Sequence, residues 1–118
     1  MREVQSFKNA LVGVMTATKN ERHMKFHLLA AICTILAAFL LKFTAIEWIV
    51  LLLTISGMLT LEMINTAIER FVDLVEPNWN EKAGQVKDIA AGACFIYACG
   101  SAVIGCILYI PKIIELVL

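Results

Sequence analysis

Glu62, Asn65, Glu69 and Asp73 recur three and four residues apart inside the run WIVLLLTISGMLTLEMINTAIERFVDLV at residues 48–75. At about 100° per residue they fall within an arc of roughly 80°, one polar stripe on an otherwise apolar helix. Three carboxylates and a carboxamide in that arrangement can take up a proton, hold a hard divalent cation or line an ion path. A charged side chain near the middle of a bilayer costs about 2.5–3.5 kcal/mol on insertion scales, so such a stripe marks a working site more often than a structural one. The structural alternative makes Asn65 and Thr66 interhelical hydrogen-bonding groups and leaves Glu69 and Asp73 in water beyond the interface.

The elements that must carry this stripe are membrane helices. The chain has 118 residues, 60% of them hydrophobic and only two of them proline, and its mean hydropathy is +0.81. That is too apolar for a domain of this size to cover its core with polar surface. Three stretches, 26–43, 48–75 and 89–110, are long enough to cross a hydrocarbon core of about 30 Å. Residues 1–25 carry charges throughout and offer no apolar core before a small-residue cleavage site, so a cleavable leader is not expected. Instead Val4, Phe7, Leu11, Val14 and Met15 recur at helical spacing, the pattern of a helix lying in the membrane interface. The expected architecture is an all-α integral membrane protein, one domain over 1–118, with an amphipathic interfacial helix followed by three membrane helices.

Ten basic residues balance ten acidic ones, but they are unevenly placed. Arg2, Lys8, Lys19, Arg22 and Lys25 precede the first span and Arg70, Lys82 and Lys87 lie around the second loop, against Lys42 and Lys112 on the other side. From this bias the N-terminus and the loop after the second span are expected to face the cytoplasm, with the chemistry on that side, and the C-terminus to face out. No basic face accumulates, which argues against nucleic acid as a partner. Cys33, Cys94, Cys99 and Cys106 all lie within spans and form no CxxC pair; they read as small packing residues. Ala98, Ser101, Ala102 and Gly105 have the spacing of a surface that packs closely on another helix, and three spans bury so little surface alone that an oligomer is expected.

Other charged residues join the stripe at the same level. Glu21 stands just before the first span and Lys87-Asp88 just before the third. Magnesium needs one or two carboxylate oxygens, with water and phosphate filling its remaining positions. The residues therefore describe a composite metal and phosphate site at the lipid surface. A cation channel or transporter would need a polar path across the whole membrane. The outer half of the second span offers only Thr54, Ser56 and Thr60, and the first span only Thr34.

The string Glu62-Met63-Ile64-Asn65-Thr66-Ala67-Ile68-Glu69, followed by Asp73 and by Lys87-Asp88-Ile89-Ala90-Ala91-Gly92-Ala93, closely resembles the signature of the prokaryotic diacylglycerol kinase family, which includes undecaprenol kinase. With Asn20-Glu21-Arg22, the resemblance covers essentially the whole chain. It implies a homotrimer of three spans per subunit that transfers the γ-phosphate of Mg-ATP to the hydroxyl of a membrane lipid in the bacterial cytoplasmic membrane, at sites shared between neighbouring subunits.

By position, the resemblance makes Glu62 the catalytic base with Asn65 beside it, and makes Glu21 and Glu69 the magnesium ligands. Lys87 and Asp88 match the nucleotide-binding pair, with Arg2, Asn9, Asn78 and Asn80 as further nucleotide contacts. Lys25, Glu62 and Ala91 fall at lipid-binding positions. Near them, His27 reads equally as an interfacial anchor or a binding residue. The turn Asn78-Trp79-Asn80 lacks the acidic residue or tyrosine-histidine pair of some members. Use of ATP enters only through the resemblance, because no P-loop or glycine-rich kinase loop is present. The runs Ser6-Phe7-Lys8-Asn9-Ala10 and Asn20 to Leu28 look more like the undecaprenol kinase branch. Undecaprenol is therefore the expected acceptor, with diacylglycerol as the alternative and an ion channel as a remote third reading.

Overall fold

The computed structural model describes residues 1–118 as four helices, α1 (Arg2–Asn20), α2 (Arg22–Leu40), α3 (Ala45–Val75) and α4 (Glu81–Val117), with no strand. Every helix end has a local cause. A single residue, Glu21, separates α1 from α2. Its backbone is extended (φ −112°, ψ 121°), its N–H donates to Ala17 O at 3.0 Å and its carbonyl accepts from Lys25 N at 3.2 Å. One helix therefore closes and the next opens around the same peptide. Residues 22–25, expected with the interfacial segment, belong to α2.

At the other end, α2 closes with Phe43 N–H donating to Ala38 O at 3.1 Å around Lys42, which takes φ 54°, a left-handed helix stop usually left to glycine. Thr44 and Glu47 then form a reciprocal capping box that opens α3, satisfying two backbone N–H groups that the helix itself cannot. Glu47 also pairs with Lys112 of α4 at 3.2 Å. The α3–α4 turn ends at Asn80, whose side chain accepts from the Lys82 and Ala83 N–H groups at 2.9 and 3.3 Å and so caps α4.

Helix α3 is the spine: α4 packs along it, α2 packs on part of it, and α1 touches α2 and α3. Within α1 only Ala17 is buried, and residues 1–15 are all exposed, so this helix meets the bundle through its last turn alone. The small core of Ala38, Phe43, Leu51 and Leu108 lies at the end where α2 turns into α3. Most large apolar side chains, such as Phe39, Leu53, Phe95 and Ile107, face outward. In water that surface would drive aggregation, whereas against lipid tails it costs nothing and the helices keep their backbone groups satisfied internally. Helices α2, α3 and α4 are each long and apolar enough to cross a membrane.

The close contact between α3 and α4 is made at Gly57. A Cβ there would lie 1.9 Å from the Tyr97 Oη and 2.4 Å from its ring carbon, and the Tyr97 hydroxyl donates to Leu53 O at 3.2 Å. Gly57→Ala should therefore expel the ring and break this bond, destabilising the bundle by about 1–3 kcal/mol. Thermal unfolding in detergent micelles measures the loss, and Gly57→Ala combined with Tyr97→Ala should recover part of it.

Ala98, Ser101, Ala102 and Gly105 line a cavity of about 360 Å³ between α2, α3 and α4. The backbones of α2 and α4 stay apart; at the far end the Tyr109 hydroxyl, donating to Thr34 O, bridges them beside the small core that Ala38 and Leu108 share. All four cysteines are free, but only Cys94 is buried; Cys33, Cys99 and Cys106 are exposed on the chain's surface rather than in its core. Periodicity put them in the spans but could not tell the face toward lipid from the face toward protein.

Candidate active site

The stripe on α3 is graded. Glu62 and Asn65 are only 6% and 8% exposed, Glu69 is half-buried and Asp73 exposed. Burial arises because α2 and α4 flank the deep end of the stripe, whereas the shallow end runs past the start of α2. Glu62 Oε1 lies 3.3 Å from Nε2 of His27 on α2. From α4, Cys94 stands beside Glu62 and donates to Leu61 O at 3.5 Å. The Thr66 hydroxyl bonds to the Glu62 carbonyl at 2.9 Å, so it is turned back onto the helix rather than toward the carboxylate.

One turn further out, the Asn65 amide donates to Glu69 Oε1 at 3.2 Å, while the buried Asn65 Oδ1 has no hydrogen-bond partner. Such orphans need an explanation in a native protein, an unfilled ligand position among them. Glu21 sits at the helix elbow with its carboxylate 3.7 Å from Arg70 of α3. No three His, Cys, Asp or Glu side chains converge on one point. A magnesium ion arriving on a nucleotide does not ask for that, since phosphate and water complete its shell. Glu69 with the free Asn65 oxygen beside it, and Glu21 released from Arg70, are hard oxygen donors of the right kind.

At the shallow end Lys87 of α4 pairs with Asp73. Both border a cleft of about 130 Å³ whose walls include Asn78, Trp79 and Asn80 from the turn. The elements thus set Glu62, Asn65 and Glu69 along one face, leave Glu21 at the elbow against Arg70, and bring Asn78, Asn80 and Lys87 together around the cleft. They do not bring in the rest. Arg2 and Asn9 lie on the exposed part of α1, where Asn9 accepts from Gln5 at 3.0 Å. Lys25, Asp88 and Ala91 are exposed on α2 and α4, and Asp88 makes no ion pair within the chain. The sequence left His27 open and did not point to Arg70 or Cys94, because periodicity fixes faces within a helix and not which faces meet.

An all-helical membrane protein with a buried glutamate beneath a carboxylate-rich, lysine-bordered cleft belongs to the class of small integral membrane enzymes acting at the lipid surface. A family model, Prokaryotic diacylglycerol kinase, matches residues 8–109. Among similar proteins, one from Bacillus subtilis named undecaprenol kinase is 38% identical over 112 residues, 95% of this chain and 91% of that protein. A protein of Synechocystis named diacylglycerol kinase is also 38% identical over 112 residues, 94% of this chain and 64% of its own length. A third, from Haemophilus influenzae and named diacylglycerol kinase, is 31% identical over 96 residues, 81% of each chain. The chain belongs to the prokaryotic diacylglycerol kinase family. It is a membrane lipid kinase, a phosphotransferase that uses ATP and a lipid alcohol.

Proposed function

We propose that this kinase phosphorylates undecaprenol, giving undecaprenyl phosphate, and that it works as a homotrimer in a bacterial cytoplasmic membrane, as one domain over residues 1–118. The observation that carries the reading is the position of Glu62. It stands one turn from Met58 and Leu59, and both of these and its partner His27 line the apolar cavity. A lipid chain along that cavity brings its hydroxyl to the only buried carboxylate of the chain. Undecaprenol is favoured over diacylglycerol by the near end-to-end likeness to the Bacillus subtilis protein.

Glu62 would take the hydroxyl proton as the lipid oxygen attacks the γ-phosphorus. Asn65 lies next to that reaction zone, and Lys25 and Ala91 sit where the resemblance places lipid contacts. Lys87, with Asn78 and Asn80, would hold the nucleotide phosphates once Asp73 is displaced; Arg2 and Asn9 would add outer contacts. Phosphoryl transfer depends mainly on positioning and charge neutralisation. Magnesium would supply part of that neutralisation, held by Glu21 and Glu69. Asp88 is exposed and makes no ion pair within its own chain, which supports sites completed by a neighbouring subunit. The basic residues around the stripe support a cytoplasmic active site.

In mixed micelles with labelled Mg-ATP, undecaprenol should be phosphorylated in preference to diacylglycerol at matched mole fraction. Preference for diacylglycerol would instead make the product phosphatidate.

A further inference from the structure

A carboxylate as buried as that of Glu62 needs a hydrogen-bond donor. The chain supplies few. The Asn65 amide is committed to Glu69, the Thr66 hydroxyl to a backbone carbonyl, and the Cys94 thiol to Leu61 O. His27 Nε2 lies 3.3 Å from Oε1 of Glu62, nearer than any other basic side chain, and the Cys94 thiol also stands against this carboxylate. An ionised carboxylate accepts and does not donate, so a hydrogen bond across this pair with Glu62 ionised places the proton on Nε2. The same imidazole lines the apolar cavity, and its ring is held edge-on by Phe26 with centroids 5.5 Å apart. One side chain of α2 therefore touches both the carboxylate and the space that the lipid chain would occupy.

We propose that His27 is the positioning residue of the general base. Its Nε2 fixes Oε1 of Glu62 and thereby leaves Oε2 to meet the lipid hydroxyl. The inference rests on Glu62 being that base. The proton balance is unchanged by it: the hydroxyl proton moves to Oε2, the lipid oxygen bonds to the γ-phosphorus, and ADP departs with the electrons of the broken P–O bond. His27 neither gains nor loses a proton in the step. What it contributes is orientation, and displacement of a reacting group by about 1 Å can cost on the order of 10²-fold in rate. It also couples α2 to the chemistry, since any tilt of that helix relative to α3 would change the direction in which Oε2 faces.

The test is a comparison of His27→Leu, His27→Gln and Glu62→Gln, singly and with His27→Leu and Glu62→Gln combined, in the full-length protein with undecaprenol and Mg-ATP. His27→Leu should lower kcat by roughly 10- to 100-fold with both KM values within about twofold. Glutamine, whose amide nitrogen reaches the place of Nε2, should restore most of the rate. In the Glu62→Gln background His27→Leu should cost nothing further, because there is no longer a base to orient. A kcat for His27→Leu equal to that of the unaltered protein would overturn the proposal, as would an equal further loss in the Glu62→Gln background. If Glu62→Gln alone were fully active, the assignment of the base would fail instead, and the two failures are thus told apart.

Discussion

Glu62→Gln should reduce phosphate transfer from labelled Mg-ATP by about 10²- to 10⁴-fold, the range associated with loss of a general acid or base. The fold should survive. Glutamine keeps the length of the side chain and an oxygen able to accept from His27, and it removes a charge from a site where the carboxylate is only 6% exposed. Thermal unfolding in micelles should accordingly be unchanged or shifted upward, and the KM for nucleotide should stay near its starting value because the cleft bordered by Lys87 lies further along the stripe. A rate within a few-fold of the unaltered enzyme would remove Glu62 from the chemistry and leave it as a structural partner of His27.

The second large effect is expected at Lys87. Replacement by methionine keeps much of the aliphatic stem and removes the ammonium that now rests on Asp73. Loss of a charge-assisted contact to a phosphate is worth about 1.5–3 kcal/mol, which is roughly 10- to 100-fold in nucleotide KM. The lipid KM should be unaffected. Asp73→Asn should act in the opposite sense, since it weakens the pair with which the nucleotide phosphates compete for Lys87. Titration of initial rate against Mg-ATP at saturating lipid separates the cases. If Lys87→Met changed only the lipid term, the cleft by the α3–α4 turn would not be the nucleotide site.

The polar stripe is legible in the amino-acid sequence alone. The intervals between Glu62, Asn65, Glu69 and Asp73 give one face of one helix, and that face grades from buried to exposed because α2 and α4 flank only its deep end. The three spans follow from apolar runs whose length a bilayer dictates. What periodicity does not carry is how helices are turned relative to each other. The contact of His27 with Glu62, of Arg70 with Glu21 and of Cys94 with Leu61 each joins two elements, and no pattern within a single helix encodes them. The break at Glu21 was placed late for a related reason. Arg22, His23 and Lys25 look like the end of a charged surface segment, yet they form the first turn of α2 once the chain has bent at one extended residue. The small residues of α4 show the same limit: their spacing identifies a close-approach face, but within the chain the close approach of α3 and α4 is made at Gly57 and Tyr97, while Ala98, Ala102 and Gly105 line the cavity.

Because α3 runs for 31 residues and α2 for 19, the two reactants are counted in different dimensions. A helix of 31 residues is about 46 Å long and outruns a hydrocarbon layer of about 30 Å, so its last turns, with Asp73 and the neighbouring cleft, can stand in bulk solution while Glu62 stays within the sheet. Nucleotide then arrives as a solute whose supply is set by its molarity. The acceptor arrives as a surface species whose supply is set by its share of the membrane area, however much or little membrane there is per volume. An enzyme built this way reports the composition of its bilayer rather than the amount of it, and it does so through the length of one helix.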